Sequence, residues 1–324
     1  MNRRLTTQLL AALTLAASTG LAFAQAYPSK PVRWVVPYPA GGGSDFLART
    51  IGQQLSKQVG QPVTVDNKPG GNTAIAASDV ARAPADGYTV LSADNGTMVF
   101  NSALYAKLTY NPEKDLTPVT LMGKFPMILA VGENSEYKDA KQLIAKAKAA
   151  PGRISYGSAG AGSPHHLAME LLKVGAGLHM VHIPYRGAAP ALTDLVGGQV
   201  DAMMVDLAAG AGFFKGGKIR PLAVANPTRL PQLPDVPTFA ELGYKSVEAA
   251  ALVGMVAPAN TPSTVVASLQ KQVAAAIQEP SVRQKLVDFG IEPVGNTPQQ
   301  YADLLKSEVQ RWHKLIKDQK ISLD

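Results

Sequence analysis

A glycine-rich segment near the start of the chain has the composition of an anion-binding loop. It lies between a β-rich run and a helical pattern and reads Pro37-Tyr38-Pro39-Ala40-Gly41-Gly42-Gly43-Ser44-Asp45. The free N–H groups at the start of a helix, together with the helix dipole, attract a carboxylate or a phosphate. The spacing is neither G-x-G-x-x-G nor that of a Lys-bearing P-loop. We expect a ligand to bind here, with Ser44 as the helix cap; a tight turn without a ligand is the alternative.

A second loop of the same kind, Ser158-Ala159-Gly160-Ala161-Gly162-Ser163, also connects a predicted strand to a predicted helix. Ser163 and Pro164 are residue types favoured at the N-cap and at the first helical position. Two such helix starts facing each other across a cleft would suit an organic acid. His165 and His166 lie in the first helical turn, where one of them can hydrogen-bond a ligand carboxylate. A helix-cap contact and an exposed ring are the alternatives.

Three acidic residues are predicted near the carboxyl ends of strands. They are Asp45, Asp94 (followed by Asn95) and Asp206. Ligands of open α/β sheets bind outside the carboxyl ends of the strands. These carboxylates can select an amino or hydroxyl group of a ligand, or hold water. The alternative is that an acid in the first turn of a helix only balances the helix dipole.

The sequence lacks the patterns of several catalytic and metal sites. It has no cysteine, which excludes disulfides, thiolate nucleophiles and Cys-ligated metals. H-E-x-x-H and G-x-S-x-G are absent, and His179 and His182 are spaced to point to opposite faces of a strand. The segment from Gly212 to Lys218 matches a P-loop by count, but Ile219 stands where Ser or Thr is required. We therefore expect no catalytic residue, no metal and no cofactor.

Charge and the amino terminus indicate the compartment. The 324-residue chain has a net charge of +7 but no basic run, so nucleic acid is not an expected partner. Arg3 and Arg4 precede an uncharged apolar stretch from Leu9 to Phe23, which is followed by small residues that suit a cleavage site. Because this stretch is short for a membrane span, we predict a signal peptide over residues 1–26 and a periplasmic protein.

Short β-rich runs alternate with longer helical patterns from Val32 onward, which is typical of an α/β fold with largely parallel sheets. The alternation restarts after a stretch marked by prolines, so two α/β units are predicted. Two amphipathic helices close the chain, and Thr297-x-x-Gln300 is a capping box for the second. At least one of these helices is expected to return to the first unit.

Two extended crossings are predicted between the units, at 125–131 and at 252–256. We therefore expect two lobes joined by two hinge strands, with a ligand cleft between them. The first lobe comprises residues 27–127 and 252–324, and the second comprises residues 128–251.

Many ordered motifs in this sequence resemble those of one family. They are Tyr27-Pro28-Ser29-Lys30-Pro31-Val32, the loop from Pro37 to Asp45, Asn67-Lys68-Pro69-Gly70-Gly71-Asn72, Pro84-Ala85-Asp86-Gly87-Tyr88-Thr89, Tyr156-Gly157-Ser158-Ala159-Gly160, His182-Ile183-Pro184-Tyr185-Arg186-Gly187, Leu195-Val196-Gly197-Gly198-Gln199-Val200-Asp201 and Leu233-Pro234-Asp235-Val236-Pro237-Thr238. They look like the Bug family, the extracytoplasmic solute receptors of tripartite tricarboxylate transporters. The resemblance runs from the signal peptide to the last helix.

This resemblance implies a periplasmic binding protein with a type II-like α/β fold, whose lobes close around a small carboxylate held mainly by backbone and water. The matching positions are Tyr38, Ala40, Gly42, Gly43 and Ser44 in the first loop and Ser158, Gly160, Ser163 and His166 in the second. Asp45 and Asp206 match positions near the cleft. Asp94 and Thr97 lie in a segment where the family more often has small residues before Gly-Thr, and the acid here favours an amine or a hydroxyl on the ligand.

The function expected from these observations is non-catalytic capture. A monomer would bind a small organic acid, which can be a dicarboxylate, an aromatic acid or an amino acid, and deliver it to the membrane permease subunits of a tripartite transporter. A ligand-sensing partner of a membrane sensor kinase shares the same cleft and is one alternative. An exported hydrolase is the other.

Overall fold

The computed structural model describes residues 27–324, and the predicted signal peptide lies outside the described residues. Strands and helices alternate, as expected for an α/β fold. The strands are β1 (Val32–Val36), β2 (Val63–Asn67), β3 (Thr89–Asp94), β4 (Leu116–Gly132), β5 (Ser155–Ser158), β6 (Val181–Pro184), β7 (Ala202–Asp206), β8 (Ile219–Val224), β9 (Ala250–Pro258) and β10 (Glu292–Pro293). The helices are α1 (Gly43–Val59), α2 (Ala74–Ala81), α3 (Asn101–Leu104), α4 (Ala140–Ala149), α5 (Pro164–Ala176), α6 (Ala188–Val196), α7 (Leu207–Lys215), α8 (Ser263–Gln278), α9 (Pro280–Asp288) and α10 (Pro298–Asp318).

The strands form one continuous sheet in the order β2-β1-β3-β9-β4-β7-β5-β6, and β8 and β10 also pair with β4. β1 is parallel to β2 and β3, and β5 is parallel to β6 and β7. We call β1, β2, β3, β9, β10 and the first part of β4 the first strand group. The second strand group consists of β5, β6, β7, β8 and the last part of β4.

The directions of the strands bring the ends of both groups together. β3 and β4 run the same way, because each is antiparallel to β9, whereas β7 runs the opposite way because it is antiparallel to β4. β4 itself passes from the first strand group into the second. The carboxyl ends of β1 and β3 therefore point towards the second group, and those of β5 and β7 point towards the first. The loops that follow these strands are therefore directed towards the other group.

β4 is longer than the sequence predicts, because it begins at Leu116 and not at Phe125. Its first part pairs with β9, but the register shifts between Pro118 and Thr120 and again between Leu121 and Gly123. Proline cannot donate a hydrogen bond to the ladder, and irregular pairing of this kind breaks the alternation that marks a strand in a sequence. The local sequence pattern therefore does not reveal the first nine residues of β4, which are held in place by pairing with β9.

Helices cover both faces of the first strand group. On one face, Trp34 of β1 is fully buried in a cluster with Leu47 of α1 and Val273 of α8. On the other face, Trp312 of α10 packs edge-on against Phe100, with ring centroids 5.2 Å apart. The two closing helices predicted from the sequence thus both pack on this group. The predicted capping box at the start of α10 is confirmed.

One local prediction is wrong, and one helix was not predicted. Ser44 is not the cap of α1, because the helix begins at Gly43 and Gly42 occupies the N-cap position. The segment after β7 forms helix α7, which the sequence did not predict because Gly210 and Gly212 weaken the helical pattern. None of the helices within residues 27–324 is both long enough and apolar enough to cross a membrane.

Candidate ligand-binding site

The first glycine-rich loop leads from the carboxyl end of β1 to the start of α1. Gly42 has extended backbone angles, φ −82° and ψ 172°, and no side chain within residues 27–324 caps this helix. The first-turn N–H groups are therefore left for a ligand or for water. A Cβ atom at Gly43 would lie only 2.8 Å from Cε1 of Phe125 in β4, so glycine lets the helix start approach the crossing strand. Ala40 and Gly42 are exposed at the tip of the loop.

Asp45 lies in this loop but turns back towards its own helix. Its carboxylate accepts hydrogen bonds from the N–H of Gly41 at 2.9 Å, from Nε of Arg49 at 2.9 Å and from Nδ2 of Asn67 at 2.9 Å. Burial raises the pKa of this carboxyl, but these hydrogen bonds and the charge of Arg49 outweigh that effect and lower the pKa below its usual value. Asp45 is only 3% exposed. Its contacts therefore hold the loop in shape.

Tyr38, Asp94 and Thr97 form a network that joins the first loop to the carboxyl end of β3. The hydroxyl of Tyr38 donates to Oδ2 of Asp94, and burial together with this negative charge raises the pKa of Tyr38. Oδ1 of Asp94 accepts the backbone N–H of Thr97 at 2.9 Å and lies 2.9 Å from Oγ1 of Thr97. Asp94 and Thr97 are both buried. The network therefore fixes the position of Tyr38 at the loop.

The second loop leads from β5 to α5 and is closed by its own side chains. Oγ of Ser163 accepts the N–H of His166 at 3.3 Å, which confirms Ser163 as the N-cap. Oγ of Ser158 lies 2.7 Å from Nε2 of His182 and 3.0 Å from the carbonyl oxygen of Gly160. These bonds fix the loop with its glycine backbone at the end of the second strand group.

His166 supports the second loop from inside the protein. Its Nδ1 accepts the N–H of Gly162 at 3.1 Å, so the proton of the neutral ring is on Nε2. That nitrogen lies 3.7 Å from Oε1 of Glu170. The same oxygen accepts a hydrogen bond from the hydroxyl of Tyr156 at 2.5 Å. Burial, assisted by the charge of Lys173, lowers the pKa of His166 to about 4. The ring is therefore neutral at pH 7, and its Nδ1 is occupied by the hydrogen bond from Gly162.

The adjacent residue, His165, belongs to a different set of contacts. Its Nε2 lies 2.9 Å from Oδ2 of Asp206, at the carboxyl end of β7. Asp206 also caps α7 by accepting the N–H of Ala209 at 2.8 Å. Burial raises the pKa of Asp206, but the hydrogen bond and charge of His165 lower it further than burial raises it. Nδ1 of His165 is buried and has no hydrogen-bond partner among residues 27–324.

Asn95 directly follows Asp94, at the carboxyl end of β3 in the first strand group. Its Oδ1 accepts the backbone N–H of Leu252 in β9 at 2.5 Å. Its Nδ2 is buried without a partner in the described part of the chain. Asn95 and His165 are not among the positions that matched the family's binding loops. Asn95 was visible in the sequence only as the neighbour of Asp94, and His165 only as one of two adjacent histidines.

The second loop touches segments that connect strands of the first strand group or follow its last strand. A Cβ atom at Gly162 would lie 2.8 Å from Leu104 and from Leu323, and 3.1 Å from Nδ2 of Asn72. The amide of Asn72 donates to Oδ1 of Asn101 at 2.9 Å, which holds it in place. Asn72 thus contributes to the contact between the groups, although the sequence marked it only as the end of a family motif.

The structure also contains a cavity that lies away from the two glycine-rich loops. A cavity of about 460 Å³ lies at the crossing strands and is lined by charged residues that include Lys124, Arg283 and Arg311. None of the predicted binding residues lines it. Within residues 27–324, no group of three or more His, Asp or Glu side chains could hold a metal ion. The candidate site is therefore the region between the two glycine-rich loops.

Comparison with known proteins agrees with the motifs. Residues 47–321 match the model of a family described as tripartite tricarboxylate transporter family receptor. The chain is 33% identical to protein BugT of Bordetella pertussis over 317 residues, which cover 96% of this chain and 97% of BugT.

Solved structures give the same result. The structure described as R. palustris Rpa4515 with adipate is 38% identical, with a TM-score of 0.84, and the match covers 90% of this chain and 97% of that protein. MatC from Rhodopseudomonas palustris with bound malate is 33% identical, with a TM-score of 0.81, and the match covers 90% and 100%. The chain therefore belongs to the receptor family of the tripartite tricarboxylate transporters, as its motifs indicate, and has the α/β fold of their periplasmic solute-binding proteins.

Proposed function

We propose that this chain captures a small organic carboxylate between its two strand groups and delivers it to the membrane permease subunits of a tripartite transporter. The observation that carries the proposal is the start of α1. Gly42 provides no side-chain cap, and Asp45, the acid nearest to this helix start, is held by Arg49 and Asn67. An anion placed there would meet free N–H groups and the positive end of the helix dipole.

The solved relatives support a carboxylate as the ligand class. Adipate and malate, which the two Rhodopseudomonas structures hold, are both dicarboxylates. In the present chain, the second loop would meet the other side of such a ligand with the backbone around Gly160 and the cap at Ser163. Neither loop places a free cationic side chain at its tip, so backbone amides would supply most of the binding.

Closure of two lobes is part of the proposal. The first lobe would comprise residues 27–127 and 252–324, and the second residues 128–251, with β4 and β9 as the connecting strands. The close approach of Gly162 to Asn72, Leu104 and Leu323, which lie outside residues 128–251, supports a closed arrangement. A ligand can only favour closure through contacts that are present in the closed form and missing in the open form.

The proposed export and partners rest on the same family membership. The protein would be exported by its signal peptide and would act as a monomer in the periplasm, without catalysing a reaction on its ligand. Copurification with permease subunits from cells would support delivery to a transporter. Copurification with a sensor kinase would contradict delivery and favour a sensing role.

Binding can be tested by isothermal titration calorimetry with adipate, malate, benzoate and aspartate. The informative variant is Gly42→Asp, which places a carboxylate at the N-cap and so competes with an anionic ligand. A Cβ atom at Gly42 has room, since its nearest contact is the carbonyl oxygen of Pro39 at 3.8 Å. Because Asp is a favourable N-cap residue, the melting temperature should be maintained or raised.

The matched control is Gly212→Asp, which adds the same charge at an exposed position of α7 with open space around it. We expect at least one acid to bind the unaltered protein, Gly42→Asp to weaken its affinity about tenfold or more, and Gly212→Asp to leave it within about twofold. Absence of binding across the panel, or equal affinity in Gly42→Asp and the unaltered protein, would contradict the proposal.

A further inference from the structure

The cavity at the crossing strands has the size and the lining of a site for a small solute. Its volume is about 460 Å³, and ligand sites in proteins commonly enclose about 300–1,000 Å³. The apolar part of its wall includes Leu207, Leu230, Leu252 and Leu304. Apolar walls that carry a few polar groups are typical of ligand-binding cavities. The proposed carboxylate site does not use this cavity, because none of the residues of that site lines it.

Strand β4 separates the cavity from the first glycine-rich loop. Lys124 and Phe125 are consecutive in β4 and pair in regular register with Leu252 and Ala251, so their side chains point to opposite faces of the strand. The ring of Phe125 faces the start of α1, since its Cε1 lies 2.8 Å from the position of a Cβ atom at Gly43. Lys124 lines the cavity. A solute in the cavity would therefore be on the other side of β4 from that helix start.

Ion pairs account for most of the charged side chains in the wall of the cavity, which contains four cationic and three acidic residues. The pairs are Lys124 with Glu292 at 3.5 Å, Arg311 with Glu308 at 3.5 Å, and Arg229 with Glu241, which lies outside the wall, at 3.0 Å. The guanidinium of Arg283 and the carboxylate of Glu248 form no ion pair within residues 27–324. The wall thus presents one cation and one anion that a solute can neutralise.

Two hydrogen bonds place these two charges at different parts of the wall. Arg311 of α10 donates to the backbone carbonyl oxygen of Glu248. Nε2 of Gln232 donates to the backbone carbonyl oxygen of Val287 in α9 at 3.0 Å. Arg283 precedes Val287 by four residues and therefore lies on the same face of α9. Glu248 thus stands at the contact with α10 and Arg283 stands near the contact with α9, and both side chains are exposed to solvent.

We propose that this cavity binds a short zwitterionic peptide of about the size of an apolar dipeptide. The terminal carboxylate pairs with Arg283, the terminal ammonium group pairs with Glu248, and the side chains contact the leucines of the wall. A simple carboxylate leaves Glu248 unpaired, and a simple amine leaves Arg283 unpaired. The two charges of an extended dipeptide are about 6 Å apart, whereas those of an amino acid share one carbon and cannot reach two parts of the wall. This site is additional to the proposed carboxylate site and does not depend on it.

Calorimetry with leucyl-alanine and three analogues tests the proposal on the purified protein. In 4-methylpentanoyl-alanine a hydrogen replaces the ammonium group, leucyl-alaninamide lacks the carboxylate, and glycyl-glycine lacks the apolar side chains. We expect leucyl-alanine to bind with a dissociation constant below about 1 mM. Each analogue should bind at least about fivefold more weakly, because it loses a charged contact or the apolar contacts.

Two variants assign the ends of the peptide. In Arg283→Gln, leucyl-alanine should bind at least about fivefold more weakly, and its affinity should lie within about twofold of that of leucyl-alaninamide. In Glu248→Gln, the loss should be similar, and leucyl-alanine and 4-methylpentanoyl-alanine should bind within about twofold of each other. Because both side chains are exposed and form no ion pair, the melting temperature should change little.

The controls are Arg153→Gln and Glu113→Gln, which make the same changes at exposed residues that do not line the cavity. Both should retain the affinity for leucyl-alanine within about twofold. Gly42→Asp should also retain it, because β4 lies between the two sites, and Arg283→Gln should leave the affinity for organic acids within about twofold.

The outcomes separate this inference from the proposed function. Absence of dipeptide binding up to about 10 mM, equal affinity for leucyl-alanine and its analogues, affinity unchanged in both variants, or binding that is lost in Gly42→Asp would overturn this inference and leave the proposed function intact. Failure of every organic acid to bind would contradict the proposed function and leave the dipeptide site intact.

Discussion

The imidazole ring of His166 is stacked on that of His182, with centroids 3.9 Å apart and planes that differ by 5°. Tyr156 continues the stack at 4.8 Å from His182. Burial lowers the pKa of both histidines, to about 4 for His166 and to about 3 for His182, and the neighbouring His166 lowers that of His182 further. The stack joins β5, α5 and β6 at the second loop. The stack is therefore stable while both histidine rings are neutral, and their protonation at low pH should destabilise it.

The first prediction is a loss of stability between about pH 6.5 and pH 4. A histidine in the unfolded chain has a pKa near 6.5, so the unfolded state binds protons in this range while His166 in the folded state does not. For His166 alone, the free energy of unfolding should be about 2 kcal/mol lower at pH 5 than at pH 7. His182 acts in the same direction. Urea denaturation at the two pH values measures the difference.

A non-titrating variant identifies the group responsible. In His166→Asn, the amide oxygen can still accept the N–H of Gly162, and the loss of stability at pH 5 should be smaller. His179→Asn, at an exposed histidine, should behave like the unaltered protein. Asp45 and Asp206 have pKa values lowered from 3.8, so their stabilisation is lost only as the pH falls below about 4. Equal pH dependence in His166→Asn and the unaltered protein would contradict the assignment.

The second prediction concerns the close approach of α10 to β9. A Cβ atom at Gly254 would lie 2.3 Å from Cζ and from Oη of Tyr301, which is 1% exposed. Gly254→Ala should therefore lower the free energy of unfolding by about 2 kcal/mol or more, because a packed ring has to move. In a background of Tyr301→Ala, the same substitution should cost much less. Urea denaturation of the four proteins gives the coupling, and additive effects would contradict the close contact.

The third prediction uses two glycines of α7, the helix that the sequence did not predict. At Gly210, a Cβ atom would lie 2.5 Å from Phe214 and 2.8 Å from Val205, whereas at Gly212 nothing lies within 4 Å. Gly212→Ala should stabilise the protein by about 0.5–1 kcal/mol, because alanine favours a helix. Gly210→Ala should destabilise it by about 1–3 kcal/mol through overpacking. Thermal melts compare the two, and destabilisation by Gly212→Ala would argue against the helix.

The sequence predicts the elements whose signals are local. Helices α4 and α6 have the predicted bounds, 140–149 and 188–196, because amphipathic spacing and adjacent Gly or Pro mark them. Strand β8 is also predicted with its observed bounds, and Thr297 and Gln300 form the predicted capping box. The parallel pairing of β1 with β2 and β3, and of β5 with β6 and β7, agrees with the βα alternation of the sequence. In all these cases, the residues that decide the structure are close together in the chain.

The parts that were missed depend on distant partners. The first half of β4 is held by β9, more than 100 residues away, and its own pattern is irregular. Residues Gly96–Phe100 form a single π-helical turn before α3, which the sequence does not indicate. This turn is completely buried and packs beneath α10. Long-range packing of this kind can override local propensity, so it leaves little trace in a single sequence.

The candidate site was predictable as a pair of loops, but its side-chain roles were not. Tyr38 and Asp94 are 56 residues apart in sequence and share a hydrogen bond that no local pattern indicates. His165 and His166 are adjacent, yet about 100° of helical rotation directs one to Asp206 and the other to Gly162. Which of two neighbouring histidines is available to a ligand thus depends on how the helix is packed.

The last prediction separates two roles for Asp45. If its carboxylate mainly holds the loop through Arg49 and Asn67, Asp45→Asn should lower the free energy of unfolding by about 1–2 kcal/mol. The affinity for adipate or malate should then change less than about threefold. A direct ligand contact would give the opposite result, a loss of affinity of about tenfold at unchanged stability. Asp318→Asn is the matched control, because Asp318 forms an exposed ion pair with Lys314 at the same four-residue spacing, and its loss should cost less than about 0.5 kcal/mol.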